Sequence, residues 1–242
     1  MNPFGEPVQL PEMHSRAECS PQEDVDIVRR ALEGLKSGGE GLLRFHQPQP
    51  TAAFSPRDTT SPHYAAAAAA MRELGFQPVE RPAGGHLAIY DQSTLIIDLV
   101  APHSHPREHI HERFKLFSNT IASALSSLGV DARIGELAGE YCPGSSSVNG
   151  KGRTKLAGLA QRVVKHGYYL GTVISVSRSE PSKIAIAAAY DILGISFDSR
   201  TFGAITDFVD VQSLEAVYET VQNSIMATLS SATFCAKTRC VV

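Results

Sequence analysis

Glu140-Tyr141-Cys142-Pro143-Gly144 is followed, after a small polar segment, by Gly150-Lys151-Gly152-Arg153-Thr154-Lys155-Leu156-Ala157-Gly158-Leu159-Ala160-Gln161-Arg162. A cysteine on a Pro-Gly turn cannot sit in the middle of a helix or sheet, because proline lacks a donor and both residues favour chain reversal. Lys155 opens an apolar strand a short loop later and can fold back over the thiol as a hairpin. A thiol held in a turn beside an ammonium group is prepared as a nucleophile. If Lys155 lowers its pKa from about 8.5 to about 7, the thiolate fraction at neutral pH rises from roughly 3% to roughly 50%. The same pattern also fits an unreactive surface or half-buried cysteine, and these residues alone do not separate the two.

The chain has 242 residues, enough for one large domain or two small ones with a full core. Its 43% hydrophobic and 19% charged residues are those of an ordinary soluble protein. A net charge of -3 and a pI near 6.3 argue against a nucleic-acid binder driven by general electrostatics. No stretch of about 18 apolar residues occurs, so no membrane-spanning helix is expected. Met1 to Ser20 lacks the basic-then-apolar order of a secretory signal, and a cytoplasmic protein is expected. Cys19, Cys142, Cys235 and Cys240 form no Cys-x-x-Cys pair, so neither a zinc site nor a disulfide scaffold is indicated. Cys235 and Cys240 are read as free thiols.

Residues 1–22, rich in Pro, Glu and Ser, read as a mobile arm, with one domain over 23–242. Val25, Val28, Ala31, Leu32 and Leu35 recur at helical spacing until Ser37-Gly38-Gly39 stops the helix. Leu42–Phe45 and Ala52–Phe54 are strand candidates, and the alanine run from Ala65 to Ala70 lies in a helix opened by Ser61-Pro62. Val79–Arg81, Leu87–Tyr90 and Thr94–Val100 read as a strand meander around Gly84-Gly85. His105 to Leu128 is a long amphipathic helix with Ile110, Phe114, Phe117, Ile121 and Leu125 on one stripe. Strands at Ala132–Ile134, Lys155–Ala160 and Tyr168–Val176, then helices over Lys183–Leu193 and Leu214–Leu229, complete an α+β pattern.

The Cys142 stretch, with its downstream Lys155-Leu156-Ala157-Gly158 and Ala160-Gln161-Arg162, resembles the biotin/lipoate protein ligase and lipoyl/octanoyl transferase superfamily. Within it, the cysteine-dependent octanoyltransferases and lipoyl amidotransferases are most similar. Arg81-Pro82-Ala83-Gly84-Gly85-His86, with Asp91 and Leu95 behind it, resembles the family's glycine-rich acyl-binding loop. Leu170-Gly171-Thr172-Val173-Ile174 resembles the strand after the Gln-Arg, and Gly129-Val130-Asp131-Ala132-Arg133 the helix-to-strand entry. Four such motifs in the family's order cover roughly residues 40–230. The resemblance implies a single catalytic domain of mixed, mostly antiparallel sheets flanked by helices.

It also implies a reaction: octanoyl or lipoyl transfer through a Cys142 thioester onto a lysine of a lipoyl domain, with Lys155 orienting the carbonyl and favouring the thiolate. Small residues would let the acyl chain pass close to backbone, and the Gly84 and Gly85 amides could donate to its carbonyl. Arg81, His86, Asp91, Gly158, Gln161, Gly171 and Thr172 are the other substrate-binding candidates, although Asp91 and Arg162 also read as structural. Without the other motifs, Gly84-Gly85 would read as an ordinary turn. The implied partners are lipoyl-domain proteins, namely 2-oxoacid dehydrogenase E2 and the glycine cleavage H protein, with acyl carrier protein as a further donor. No cofactor is required in this reading.

An ATP-dependent lipoate ligase acting through lipoyl-adenylate with Mg²⁺, and a non-catalytic family member that binds a lipoyl domain or an acyl chain, are the alternatives. His86 stands where the ligases carry a third glycine, Ser93-Thr94 where they carry Gly-Asn, and Leu170 replaces their strand histidine. The chain also ends soon after its last expected helix, leaving no room for a small C-terminal domain. These departures favour thioester transfer. The one-residue-longer loop before Lys155 leaves Lys151 as an alternative partner lysine.

Two further clusters are read as decoys. His105 and His109 have ligand-like spacing, with His103 and His111 nearby, but Pro106, Arg107, Glu108, Glu112 and Arg113 make this a solvated helix start, and no metal is expected. Gly144–Arg153 lacks the Gly-x-x-x-x-Gly-Lys-Ser/Thr order of a phosphate loop and reads as a mobile lid. Lys151 and Arg153 on it could greet an acidic carrier protein, and a plain surface loop fits as well.

Overall fold

Ser20 starts the first long helix. Its hydroxyl accepts the Glu23 N–H while the Glu23 carboxylate accepts the Ser20 N–H, a capping box with Pro21 in the first turn. The computed structural model describes residues 3–4, 9–16, 19–211, 213–231 and 235–238. In it, β1 (Gln9–Arg16) precedes this helix, α1 (Pro21–Gly34), which is followed by β2 (Leu42–Gln47) and β3 (Thr51–Phe54). Next come α2 (Pro56–Thr59), α3 (Tyr64–Glu73), β4 (Gln77–Glu80), β5 (Ala88–Tyr90), β6 (Thr94–Pro102) and α4 (Ile110–Ser127). The chain continues through β7 (Ala132–Ile134), β8 (Val148–Gly150), β9 (Thr154–Val164), β10 (Gly167–Ser175), α5 (Glu180–Leu193), α6 (Leu214–Ser231) and β11 (Cys235–Thr238).

The larger sheet runs β11-β1-β2-β6-β10-β9-β8-β7, with β1 parallel to both β11 and β2 and each later pair antiparallel. The smaller runs β4-β3-β5. Period-2 alternation gives the large sheet two different faces. Leu43, Leu95, Ile97, Leu99 and Leu170 pack on one side against Phe117, Ile121 and Leu125 of α4 and Val217, Val221 and Ile225 of α6. On the other side α1 covers Leu42, Val100 and Tyr169 with Val28 and Leu32. Met71 of α3 and Ile186 and Tyr190 of α5 build a second core under the small sheet.

The α+β class and the mixed, mostly antiparallel sheet match the expectation. Three local differences have physical causes. Gln9–Arg16, inside the stretch read as an arm, is a strand whose backbone pairs with β11 over Gln9–Glu12 and with β2 over Glu12–Arg16. The long helix begins at Ile110, because Pro106 and the turns before it do not continue a helical ladder. The middle of the segment expected as a mobile lid is strand β8: Val148, Asn149 and Gly150 are all buried and pair with both β7 and β9. Only the tight turn Lys151-Gly152-Arg153 separates β8 from β9, with Lys151 and Gly152 at positive φ.

Candidate active site

Cys142 has φ 42°, a left-handed conformation unusual for a residue with a side chain and costing about 1 kcal/mol or more. Its surroundings fix it there. The Cys142 N–H donates to the Tyr190 hydroxyl at 2.7 Å, and that hydroxyl donates to the Leu87 carbonyl at 3.0 Å. The resulting turn aims the thiol at the glycine-rich loop, where the Arg81 guanidinium and the His86 N–H both donate to Sγ at 3.4 Å. Arg81 is itself fastened to the loop, donating to the Gly84 and His86 carbonyls at 2.7 Å. Burial pushes the Cys142 thiol up. The Arg81 and Lys155 charges and the two donors to sulfur outweigh it, so the thiol titrates below its ordinary range.

Lys155 does enter the site, by a different contact from the one expected. A register slip between Val148 and Asn149 places one extra residue in β9 beside Lys155. The ammonium then donates to the Cys142 carbonyl at 2.8 Å, the Tyr141 carbonyl at 2.9 Å and Glu140 Oε1 at 3.0 Å. These use its three donors. Its influence on the thiol is therefore through charge and through the loop it holds, while the direct cationic partner of sulfur is Arg81. Glu140 is the hub of the same loop, also accepting from the Leu137 and Gly144 amides and the Ser147 hydroxyl. Lys151 lies exposed in the β8–β9 turn, whereas Lys155 is buried against the Cys142 loop.

Cys142, Arg81 and Lys155 line a cavity of about 830 Å³, counted with its open mouth. Its floor is the α1-facing side of the large sheet. One register row crosses four strands as Gly158, Val173, Ile96 and His46; the next reads Ala160, Gly171, Asp98 and Arg44. Pro21, Val25 and Val28 from α1 and Pro82 and Ala83 from the glycine-rich loop form other walls. Gly158 makes room for Lys155, whose ammonium lies 3.5 Å from where a Cβ would stand. Gly171 is covered by the Tyr169 hydroxyl, which would overlap any Cβ there and which donates to Asp98 Oδ1 at 2.8 Å.

Sequence reasoning missed the charged part of this floor. Arg44 Nε and Nη2 donate to Asp98 Oδ2 at 3.0 and 2.6 Å, and Nη1 donates to Asp24 at 2.7 Å. His46 Nε2 stands 2.8 Å from Arg44 Nη2 and 3.2 Å from Asp98. Burial raises the Asp98 carboxyl, yet Arg44 and His46 hold it far below the usual carboxylate range. The available signal was the alternation of Arg44 and His46 with Leu43 and Phe45, which marks a strand with one polar face.

The remaining candidates spread out. His86 lines the thiol loop, its Nδ1 held 3.1 Å from buried Asp58. Gly84 and Gly85 are exposed, and Gly85 packs directly beneath the sulfur. Thr172 contributes to the cavity wall, its buried hydroxyl without a hydrogen-bond partner among the described residues. Asp91 and Gln161 are not part of the cavity lining. Asp91 accepts from Ser93, Ser179 and Ser182, fixing the start of α5. Gln161 bonds Arg113 and the Ile110 carbonyl, fastening α4 to β9. Arg162 supports the glycine-rich loop through the Pro82 carbonyl at 3.1 Å. No group of His, Cys, Asp and Glu able to hold a metal occurs among the described residues. Cys142 is a free thiol, whereas the side chains of Cys235 and Cys240 lie outside the described residues.

A mixed sheet floored by small residues, a glycine-rich loop over it and a buried lysine on β9 define a lipoate-ligase type of catalytic domain. The fold matches a T. acidophilum protein solved with bound lipoic acid, at TM-score 0.71 and 18% identity over 97% of this chain and 90% of that one. The chain belongs to the lipoyl protein ligase A/B catalytic domain family, whose pattern matches residues 20–231. It is similar to the octanoyl-[GcvH]:protein N-octanoyltransferase of Geobacillus kaustophilus (strain HTA426), 26% identical over 196 residues, 81% of this chain and 64% of the relative. The enzyme of that name from Anoxybacillus flavithermus (strain DSM 21510 / WK1) is 29% identical over 150 residues, 61% of this chain and 53% of its own. The chain thus spans between half and two thirds of these relatives' length.

Proposed function

We propose that this protein is an acyltransferase that carries an octanoyl-type or lipoyl-type group on Cys142 and delivers it to a lysine of a lipoyl-domain protein. One observation carries the reading: a thiol with a lowered pKa, in contact with Arg81 and the His86 N–H, lines a cavity with apolar walls. The Cys142 thiolate attacks the carbonyl carbon of a thioester or amide donor. The tetrahedral intermediate expels the donor's thiolate, or its amine with a proton given by the His86 imidazolium, and a Cys142 thioester remains. The neutral amine of the acceptor lysine then attacks that thioester, forms the amide and returns the thiolate to Arg81. His86, its ring held by Asp58, takes the proton from the incoming amine.

The donor named in the relatives, octanoyl-[GcvH], supports an octanoylated glycine cleavage H protein as donor. Dehydrogenase E2 lipoyl domains are the acceptors and acyl carrier protein the second donor to try. The transfer needs no cofactor. No helix among the described residues is long and apolar enough to cross a membrane.

Intact-mass measurement tests the chemistry. The protein is incubated with octanoylated H protein, with octanoyl-carrier protein, or with lipoate, ATP and Mg²⁺. A hydroxylamine-labile octanoyl adduct, absent from Cys142→Ala, is expected with one of the first two. Lipoate-dependent AMP release without an adduct would sink the transfer reading in favour of ligation, and neither signal would leave a binding protein.

A further inference from the structure

Beyond the Arg81 and Lys155 charges at Cys142, the acyl cavity carries a second ionic cluster on its floor, Arg44, His46 and Asp98. We propose that it selects an acyl chain whose far end carries a neutral hydrogen-bonding group, such as a hydroxyl, over a plain saturated tail. The inference deepens the transfer reading and rests on its assignment of the cavity to the acyl group.

Distance along the floor comes first. Lys155 holds the Cys142 carbonyl and lies against Gly158, so the thiol loop stands at the β9 edge of the cavity. From Gly158 the register row passes Val173 and Ile96 to His46, three strand spacings or about 14 Å. An extended backbone advances about 3.5 Å per three bonds, so an eight-carbon chain reaches roughly 9 Å, two spacings, and ends over β6. At that strand the row stands at Ile96, and the next row places Asp98 two residues along the same strand, so a chain running obliquely from Gly158 ends between Ile96 and the Asp98 carboxylate, which Tyr169 and Arg44 hold.

A methyl end placed there removes water from a carboxylate and gives no hydrogen bond in return, which is unfavourable. A hydroxyl has partners available. Asp98 Oδ1 accepts the Tyr169 hydroxyl and the Tyr169 oxygen is engaged in that bond as the donor, so both retain accepting capacity. Charge rules out an acidic end: Asp24 and Asp98 already face Arg44 and His46, and a third carboxylate would be repelled. The favoured end is polar and uncharged.

The test compares octanoyl-pantetheine with 8-hydroxyoctanoyl-pantetheine as donors, reading the Cys142 adduct by intact mass. In parallel, calorimetry measures octanoate and 8-hydroxyoctanoate binding to the Cys142→Ala protein, which needs no thioester chemistry. The hydroxy compound is expected to react faster and bind tighter by about tenfold, the worth of one net hydrogen bond. The paired Arg44→Leu/Asp98→Leu variant is expected to reverse the order. Equal or tighter binding of octanoate to Cys142→Ala, or no binding of either acid, would overturn the proposal whether or not the paired variant folds. Binding with the expected preference but no adduct from either donor would leave the selectivity standing and overturn the thioester reading instead.

Discussion

The Cys142 sulfur lies 2.7 Å from the position a Cβ on Gly85 would take, so the thiol occupies the space of the missing side chain. Gly85 also has φ 95°, a conformation that resists any L side chain. Gly85→Ala is expected to push the sulfur off Arg81 and the His86 N–H and slow Cys142 acylation by about 100-fold, the penalty of a misplaced reacting atom. Gly84→Ala, where a Cβ meets nothing within 4 Å, is expected to keep most of the rate. Single-turnover mass spectrometry separates the two.

Arg81 is the nearest charge to the sulfur, and its loss leaves burial as the dominant influence on the thiol. Arg81→Gln should move the midpoint of iodoacetamide alkylation against pH upward. The sign follows from linkage. A thiol depressed in the folded state contributes stability above its unfolded pKa and loses it as pH falls through the folded value. The variant should therefore lose stability at alkaline pH more than at acidic pH, and an unchanged alkylation midpoint would contradict the assignment.

Lys155 and Glu140 are 1% and 2% exposed, so neither tolerates losing the other. Glu140→Gln is expected to cost about 3 kcal/mol, as for a broken buried pair. In a chain of this size that lowers Tm by roughly 6–12 °C. Glu140→Gln/Lys155→Met should recover part of the loss in calorimetry, because no unpaired charge is left buried.

His86 contributes its backbone to the sulfur and its ring to Asp58. His86→Gln keeps the backbone N–H, so thioester formation from a thioester donor, whose thiolate leaves without a proton, should change little. Transfer from Cys142 to an acceptor lysine should slow by about 100-fold or more, the usual worth of a general base. Rapid-quench measurement of the two half-reactions checks this, and equal slowing of both would count against a base.

Asp98 is held by Arg44, His46 and Tyr169, and Asp98→Asn weakens all three contacts at once. A loss of about 3 kcal/mol is expected at neutral pH. Because the folded carboxyl is depressed, this stabilisation is complete above the unfolded pKa near 4 and fades only as pH falls toward the folded value. Denaturation midpoints of wild type and variant should therefore differ as much at pH 5 as at pH 7 and converge only in strong acid.

The sequence by itself determined the α+β class, most of the strands, the family and the identity of Cys142, Lys155 and the glycine-rich loop. Those signals are local: a turn, a period or a motif is complete within a dozen residues. The expected lid was lost because Val148–Gly150 is too short to announce itself as a strand and is ordered by pairing on both sides. Tertiary structure alone decided who touches whom. Arg81 and Cys142 are 61 residues apart, and Arg44 and Asp98 are 54 apart. Strand register places the second pair side by side, and the turn at Cys142 places the first. Whether a charge is a solvated surface group or a buried partner depends on what packs over it. A hairpin can be read one strand at a time, whereas a cavity floor spanning four strands exists only once those strands are assembled.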